Sequence, residues 1–258
     1  MHRVSARQEH RSAGVSVLTR RNVFALGLLG AGLAQPAAGG RKLRLAVVGA
    51  HPDDPESGCG GTLARYAALG HEAFTVYLTR GEAGISGKSH EEAARIRTRE
   101  AEEASKILGA RPVFVGQVDG ATELNRRRYE EFRQALIPLA PDIVLAHWPI
   151  DTHPDHRIAS LLAYDAWQNA PRKFALYYFE VMTGEQTQNF VPTHHVDITA
   201  VEAKKRASCY AHASQQPAEF YAAHDAMNRF RGAECQVKYA EAFAAYAHNP
   251  ETGAAPLY

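Results

Sequence analysis

Histidine and aspartate are concentrated in two short segments of this chain. His51–Asp54 has the sequence HPDD, and His153–His156 has the sequence HPDH. Imidazole and carboxylate groups hold catalytic zinc in proteins, and two imidazoles with one carboxylate leave one coordination position open for water. Such an ion lowers the pKa of the water toward about 7 and polarises a carbonyl oxygen. The two segments therefore predict a metal-assisted hydrolytic site.

Each segment follows a run of residues that predicts a buried strand. Leu43–Gly49 precedes the first segment, and Asp142–His147 precedes the second after a short loop. Both runs are apolar and contain β-branched residues, as buried strands do. In a parallel sheet the carboxyl ends of neighbouring strands meet at one edge, where ligands bind in folds of this kind. We therefore expect the two segments to converge near the middle of the sheet.

The remaining sequence alternates between strands and helices, which predicts an α/β fold with a mostly parallel sheet and helices on both faces. The other predicted strands are Ala73–Leu78, Pro112–Val115 and Phe174–Phe179. The predicted helices are Thr62–Leu69, Glu91–Leu108, Arg127–Leu139 and Asp155–Asn169. The C-terminal part is expected to be mainly helical, from Glu202 to Ala247. The sequence contains no internal repeat and no linker that would divide it into two catalytic domains.

The first forty residues have the pattern of an export signal. Arg20 and Arg21 precede an apolar run over residues 23–34, and small residues follow up to Gly40. The run is too short to span a bilayer, and the arginine pair resembles a twin-arginine signal. We therefore expect residues 1–40 to be a signal peptide, residues 41–258 to be the functional domain, and the protein to be periplasmic or extracellular. An uncleaved anchor or a buried N-terminal helix is the alternative.

Composition narrows the choice of partners. The chain has 29 Lys plus Arg and 28 Asp plus Glu, and its basic triplet Arg126–Arg128 stands beside acidic residues at a predicted helix start. This near-neutral balance predicts no nucleic-acid partner and contact with a membrane only during export. The three cysteines lack a C-x-x-C spacing, so one disulfide is possible but its partners are not determined by the sequence.

The first segment and its surroundings resemble a known enzyme family. Ala50–Glu56, followed by Gly60 and Gly61, matches the A-H-P-D-D-x-E-x-x-x-G-G signature of the LmbE-like (PIG-L) N-acetylglucosaminyl deacetylases. Leu78–Gly84, the helix with Arg97-x-x-Glu100, and the HPDH segment are similar to other stretches of that family. The resemblance covers about residues 43–247. It implies a Rossmann-like domain that removes an acetyl group from an N-acetylated sugar.

The resemblance also implies a role for each matching residue. The metal ligands would be His51, Asp54 and His156, holding zinc or ferrous iron. Asp53 would be the general base, and His153 would stabilise the oxyanion or protonate the amine. Asp155 would orient a neighbouring imidazole, and Arg97 would contact sugar hydroxyls. No tyrosine of this chain clearly matches the one that assists the oxyanion in some members.

Each of these residues also has a structural interpretation. Loop aspartates often form turns or cap helices, and Asp155 occupies a position where a helix cap could stand. Glu56 could brace its loop, and Gly60 and Gly61 are expected to permit close helix packing. Histidines outside the two segments are interpreted mainly as packing or surface residues, namely His194, His195, His212 and His224.

Two other functions are compatible with the same residues. The substrate could be another amide, such as that of a thiol conjugate, hydrolysed by the same metal site. The protein could also be an exported sugar-binding protein without catalysis, although binding alone requires neither a general base such as Asp53 nor a histidine such as His153. In each case the expected partner is a small molecule or glycan, and the sequence does not indicate an oligomeric state.

Overall fold

The computed structural model describes residues 41–250, so the predicted signal peptide at residues 1–40 lies outside the described residues. The strands are β1 (Arg44–Gly49), β2 (Glu72–Tyr77), β3 (Arg111–Phe114), β4 (Ile143–His147), β5 (Ala175–Phe179), β6 (His194–Asp197) and β7 (Ala240–Ala245). The helices are α1 (Asp54–Ala68), α2 (His90–Leu108), α3 (Arg126–Leu136), α4 (Pro154–Asn169), α5 (Glu202–Tyr210) and α6 (Pro217–Cys235). Within the described residues no helix is both long and apolar enough to cross a membrane.

The seven strands form one sheet in the order β3-β2-β1-β4-β5-β7-β6. The first five of these pair in parallel, and β7 and β6 pair antiparallel at the other edge. The mostly parallel Rossmann-like sheet predicted from the sequence is therefore confirmed. The strands β1 and β4 are neighbours, with Val48 opposite Ala146. Their carboxyl ends lie side by side, as the convergence of the two segments requires.

Helices cover both faces of the sheet. Alternate residues of β1 point to opposite faces because side chains alternate along a strand. Ala46 and Val48 belong to the core layer packed against α3 and α4, whereas Leu45 and Val47 belong to the layer that α1 contributes to. Burial on both faces explains why the central strands are almost continuously apolar.

Helix α1 begins earlier than the sequence predicted. It starts at Asp54, not at Thr62, and includes Gly58, Gly60 and Gly61. Glycine disfavours a helix interior, but close packing requires it here. A Cβ atom on Gly58 would lie 2.5 Å from the Phe179 ring, and one on Gly61 would lie 2.5 Å from Ile198 Cγ2. Packing against the sheet and the C-terminal part therefore overrides the local propensity.

The C-terminal part contains the expected helices α5 and α6, but the prediction of helix up to Ala247 is wrong. Residues 240–245 form strand β7, which lies between β5 and β6. Alanine-rich sequence favours a helix, yet pairing on both sides satisfies the backbone of this strand. Glu241 of β7 accepts hydrogen bonds from the Gly61 and Thr62 backbone at 2.8 Å and lies 2.7 Å from Lys205 Nζ. Strand β7 thereby holds α1 in place.

Three smaller expectations are also resolved. Helix α3 ends at Leu136, not at Leu139, because a 3-10 turn containing Pro138 follows it. All three cysteines are free; Cys59 and Cys209 are buried and Cys235 is partly buried. Helix α2 ends at Leu108 as predicted, with Gly109 capping it at a φ of 75°.

Candidate active site

The two histidine and aspartate segments lie at the adjoining carboxyl ends of β1 and β4. Each runs directly into a helix: Asp54 is the first residue of α1, and His156 lies in the first turn of α4. His153 is the N-cap of α4, where its Nδ1 accepts a hydrogen bond of 3.2 Å from the Asp155 backbone N–H. The cap is therefore His153 and not Asp155, which leaves the Asp155 carboxylate free for other partners.

Asp54 brings two imidazoles toward one point. His51 Nδ1 lies 3.4 Å from Asp54 Oδ2, and His156 Nε2 lies 3.4 Å from Asp54 Oδ1. All three side chains are buried. The His51 backbone N–H also donates to Asp54 Oδ2 at 2.7 Å, which orients this carboxylate. The three expected ligands thus face each other across a gap bounded by the two carboxylate oxygens.

Other carboxylates hold the outer nitrogens of both imidazoles. His51 Nε2 lies 3.2 Å from Asp155 Oδ2 and 3.1 Å from Asp119 Oδ1. His156 Nδ1 lies 3.2 Å from Asp151 Oδ1. A carboxylate on one nitrogen holds the proton there and leaves the other nitrogen as a ligand. His51 Nδ1 and His156 Nε2, the nitrogens nearer Asp54, therefore remain as ligands, so this donor set fits a divalent metal ion such as zinc.

Three trios of donor atoms in the described residues have all members within 4.8 Å of one another. They are His51 with His153 and His156, Asp54 with His147 and His156, and His51 with Asp119 and Asp155. The expected ligands are thus divided between the first two trios. The third trio contains the outer nitrogen of His51 and its two carboxylates. His156 belongs to both of the first two trios and so connects them.

The carboxylates also determine the charge of the metal-free cluster. Burial lowers the pKa of His51, but hydrogen bonds with Asp119, Asp155 and Asp54 outweigh it and raise this pKa well above its usual value. Burial likewise opposes charge on His156, yet Asp54 and Asp151 raise its pKa to about 9. Burial raises the pKa of Asp54, but the two histidines His156 and His147 bring it well below its usual value. The buried carboxylates around His51 and His156 favour a positive charge at this place, so the cluster is suited to bind a metal cation.

His147, the last residue of β4, is a buried member of the site that the sequence analysis did not identify. Its Nε2 lies 3.1 Å from Asp54 Oδ2 and 3.1 Å from the Ala50 backbone N–H. Its ring stacks on His156, with the ring centroids 4.0 Å apart. Burial is the main cause that lowers the pKa of His147 to about 4, and the nearby His156 lowers it further. A neutral ring that accepts the Ala50 N–H braces the β1 loop.

Arg97 holds Asp53, the residue before the first helix. The Arg97 Nη2 atom donates to Asp53 Oδ2 at 2.8 Å and also to the Pro52 carbonyl oxygen. Asp53 has a φ of 106°, a left-handed conformation that such residues rarely adopt. Burial raises the pKa of Asp53, whereas Arg97 opposes that rise. Gly81 leaves room for the guanidinium, since a Cβ atom there would lie 2.5 Å from Arg97 Cδ.

These residues line a cavity of about 530 Å³, within the size range of small-molecule sites. Its lining includes the polar residues Asp53, His153 and Arg97 and the apolar residues Met182 and Phe220. Every catalytic, substrate-binding or metal-ligating residue expected from the sequence, apart from Asp155, lines this cavity. Asp155 lies behind His51, where Thr122 Oγ1 and the Gly120 N–H donate to its carboxylate.

The remaining histidines occupy different places. His224 is buried and lines the same cavity, and His212 is buried with its Nε2 3.5 Å from Glu56 Oε1. Glu56 accepts a hydrogen bond of 2.5 Å from the Tyr77 hydroxyl, which agrees with a bracing role. His194 and His195 are on strand β6, away from the cavity.

Asp119 and Asp151 are the carboxylates that the sequence analysis missed. Asp119 lies in the loop after β3, and Asp151 lies in the loop after β4. Both loops begin at strand ends on the edge of the sheet that carries the two segments. Asp151, two residues before His153, could have been found as an acidic residue adjoining the HPDH segment. Asp119 has no comparable local signal, because only the sheet brings its loop to His51.

Comparisons with known proteins agree with this geometry. The family profile described as PIG-L, GlcNAc-PI de-N-acetylase, matches residues 46–167, which contain both segments. The chain is 34% identical over 126 residues to a diacetylchitobiose deacetylase of Thermococcus kodakarensis. This alignment covers 45% of this chain and 46% of that protein. The chain is 36% identical over 86 residues to a mycothiol S-conjugate amidase of Streptomyces coelicolor, covering 30% and 29%.

A solved structure extends the similarity to most of the described chain. The conserved protein TT1542 of Thermus thermophilus superposes with a TM-score of 0.69 at 34% identity, covering 81% of this chain and 99% of that one. By contrast, the matches to the two curated relatives span about half or less of their lengths.

Proposed function

Because this chain belongs to the GlcNAc-PI de-N-acetylase (PIG-L, LmbE-like) family, we propose that it is a metal-dependent N-deacetylase acting on an N-acetylated sugar. One observation carries the proposal. His51, Asp54 and His156 face one another at the edge of a cavity that also exposes Asp53 and His153. Metal ligands, a proton acceptor and a hydrogen-bond donor thus border the same space.

The donor set indicates the metal. Two imidazoles and one carboxylate are the ligands of catalytic zinc sites, and ferrous iron uses the same set. His51, Asp54 and His156 would hold the ion, with Asp155, Asp119 and Asp151 orienting the two imidazoles. When bound, the ion supplies Lewis acidity and a water of lowered pKa.

Asp53 is the proposed proton acceptor. It adjoins the ligand Asp54, lines the cavity, and has a pKa that burial raises, which brings it closer to the pH at which a base is effective. As the water oxygen attacks the acetamide carbonyl carbon, Asp53 takes a proton from the water. When the carbon–nitrogen bond breaks, that proton passes to the departing nitrogen, and acetate and the free amine result.

His153 is suited to stabilise the carbonyl oxygen as negative charge develops on it. Its Nδ1 accepts the Asp155 backbone N–H, so the neutral ring carries its proton on Nε2 and can donate it in a hydrogen bond. Burial, followed by the neighbouring histidines His51 and His156, lowers the pKa of His153 and favours this neutral ring. Between the two roles that the family resemblance allows, the geometry favours oxyanion stabilisation.

The proposal is tested with purified protein and a panel of N-acetylated sugars. We expect acetate release from at least one member, loss of that activity after treatment with a chelator, and recovery when zinc or ferrous iron is added. His156→Ala should bind either metal much more weakly because it removes a ligand. Full activity after chelation would contradict the metal-dependent mechanism.

A second substrate class is favoured by one of the relatives. The Streptomyces coelicolor protein is named as a mycothiol S-conjugate amidase. The same residues could hydrolyse an amide of a thiol conjugate, so the panel should include such an amide. Release of the amine from the conjugate, without acetate release from any N-acetyl sugar, would support this alternative. Sugar binding without turnover by the metal-loaded protein would support a purely binding function.

We also propose that the protein is exported, on the basis of the Arg20–Arg21 pair and the apolar run that follows it. Replacing Arg20 and Arg21 together by lysine should leave the precursor in the cytoplasm, because the twin-arginine route recognises the pair. Fractionation of cells that express each form checks this. Continued export of the double variant would indicate another secretion route or an anchor.

A further inference from the structure

Helix α6 exposes a row of apolar side chains although several of its buried side chains are polar. The buried side chains of this helix include His224, Asn228 and Arg231. The apolar residues Phe220, Ala223, Met227 and Phe230 follow one another at intervals of three and four, so they form one row along the helix. Phe230 remains 60% exposed. A solvent-facing apolar row on a helix with polar buried residues indicates a binding surface.

This row borders a groove next to the proposed catalytic cavity. The groove has a volume of about 340 Å³, and its apolar wall consists of Met182, Ala223, Ala226, Met227 and Phe230. Met182 lines both the groove and the cavity, and Phe220 begins the row inside the cavity. Residues 220 to 230 span about 15 Å along a helix. The apolar surface therefore extends from the reacting group outward.

Two charged residues line the groove, Arg231 and Glu185, and Arg231 is already paired. Arg231 donates to the two carboxylate oxygens of Glu180 at 2.6 and 2.7 Å, and it lies 2.9 Å from Glu234. Its guanidinium is thus engaged and offers little to an anionic ligand. Thr183 donates to Glu180 as well. Among the described residues, the Glu185 carboxylate is therefore the one charged group lining the groove that is not paired, and the mainly apolar wall suits an apolar group better than a second sugar.

The wall shared by the groove and the cavity is held in an unusual backbone conformation. Met182 has a φ of 44°, in the left-handed region that a residue with a side chain rarely adopts. Its carbonyl oxygen accepts the N–H groups of Glu185 and Gln186 at 3.0 and 2.8 Å, which stabilise this turn. Strained residues held in this way are common at ligand-binding walls.

We propose that this groove binds an apolar aglycone, an alkyl or aryl group attached to the N-acetylated sugar. The inference rests on the proposed deacetylase function and specifies its substrate class. Continuity with the cavity through Met182 favours a group attached to the substrate over a second copy of this chain. Phe220 contacts the part nearest the sugar, and Phe230 covers the far end.

The test compares the methyl and octyl β-glycosides of N-acetylglucosamine. Their binding to chelator-treated protein is measured by calorimetry, below the concentration at which the octyl glycoside forms micelles. We expect the octyl glycoside to bind at least about tenfold more tightly, because burying about two methylene groups is sufficient for that difference. In the metal-loaded protein the same preference should appear mainly in KM, since the groove is remote from the reacting bond.

Two variants locate the effect in the groove. Phe230→Ser and Ala226→Gln should each remove most of the preference, because the first removes the far wall and the second places a polar amide in the groove. Both positions are exposed on α6, so neither change opens a cavity in the core. Leu161→Ser is the matched control, since Leu161 is an exposed apolar residue of α4 outside the groove. It should leave the preference unchanged.

Three outcomes would overturn the inference: equal binding of the two glycosides, a preference that survives both groove variants, or a wild-type dimer that Phe230→Ser dissociates without any alkyl preference. The last outcome would show that a second copy covers the row. A failure of the proposed deacetylase function can be distinguished from a failure of this inference. It would appear as alkyl-dependent binding with no acetate released from either glycoside by the metal-loaded protein.

Discussion

The guanidinium of Arg97 holds the carboxylate of Asp53, with Nη2 2.8 Å from Oδ2. Arg97 also donates to the carbonyl oxygen of Pro52, so it holds both the backbone and the side chain of this loop. The Arg97 side chain is nearly inaccessible to solvent. Although it lines the cavity, its donor group is directed at Asp53. From this contact we infer that Arg97 positions Asp53, whereas the family resemblance implies that it contacts sugar hydroxyls.

Replacing Arg97 by lysine should therefore lower kcat more than it raises KM. One guanidinium nitrogen, Nη2, contacts both Asp53 and Pro52. Lysine has a flexible chain and no rigid planar group to hold a nitrogen at that place, so Asp53 would lose its fixed orientation. We expect kcat to fall about tenfold, on the order of the effect of a small misplacement. Steady-state kinetics on an N-acetyl sugar measure both constants. A large rise in KM with unchanged kcat would show instead that Arg97 binds sugar hydroxyls.

Asp53→Asn should separate the general base from the metal ligands. The amide keeps the shape of the side chain but cannot accept the proton, so kcat should fall by about 10²–10⁴. Metal content and KM should change little, because His51, Asp54 and His156 remain. Metal analysis and kinetics on the same preparation check both expectations. Loss of metal would show that Asp53 is a ligand. Near-normal turnover with metal retained would show that His153, and not Asp53, transfers the proton.

Asp151→Asn should weaken metal binding even though Asp151 is not an expected ligand. Its Oδ1 lies 3.2 Å from His156 Nδ1 and 2.8 Å from the His153 backbone N–H. Neutralising such a partner of a ligating histidine typically costs about 10–100-fold in metal affinity. Competition with a chelator measures that affinity.

Asp142→Asn is the matched control for this variant. Asp142 is also a buried aspartate, but it pairs with Arg41 and Arg172, and it directly precedes the first residue of β4. Its replacement should leave metal affinity unchanged. Equal affinities of Asp151→Asn and the wild-type protein would show that the carboxylate does not orient His156. Thermal unfolding of both metal-free variants distinguishes a local effect from general destabilisation.

His224 should make the stability of the metal-free protein depend on pH. Burial, with a contribution from Lys205, lowers its folded-state pKa to about 3. In the unfolded chain the pKa is about 6.5, so below that pH the unfolded state binds a proton that the folded state cannot. Stability is therefore lost as the pH falls from about 6.5 toward 3, by up to about 1.4 kcal/mol per pH unit.

His224→Gln should remove this contribution. Urea unfolding at pH 7.5 and pH 5 with a chelator present gives the free energy of unfolding for each form. The decrease between the two pH values should be smaller in the variant than in the wild-type protein. His90→Gln, which changes an exposed histidine at the start of α2, should retain the wild-type decrease. An unchanged decrease in His224→Gln would mean that this histidine titrates normally in the folded protein.

Much of the site could be predicted because its chemistry is local in sequence. His51–Asp54 and His153–His156 each place their polar side chains directly after an apolar strand, and parallel strands bring such loops to one edge. The same apolar runs predicted a sheet covered on both faces. The end of helix α2 could also be predicted from the sequence, because Gly109 readily adopts the left-handed conformation of a C-terminal cap.

Other features were decided by contacts between distant parts of the chain. Asp119 and Asp151 meet the outer nitrogens of His51 and His156 only because their loops leave the parallel strands β3 and β4 at the same edge of the sheet. Strand β7 forms from helix-favouring residues because β5 and β6 pair with both of its edges.

The direction of Arg97 was likewise decided by tertiary structure. A helical arginine can point toward a ligand or toward another side chain with the same local pattern. The turn containing Gly81 encloses its guanidinium and directs it to Asp53. The order of residues thus determined which chemical groups stand at the strand ends. Packing between distant segments determined which carboxylate, imidazole or guanidinium each of them contacts, because such contacts leave no periodic or local signal in the sequence.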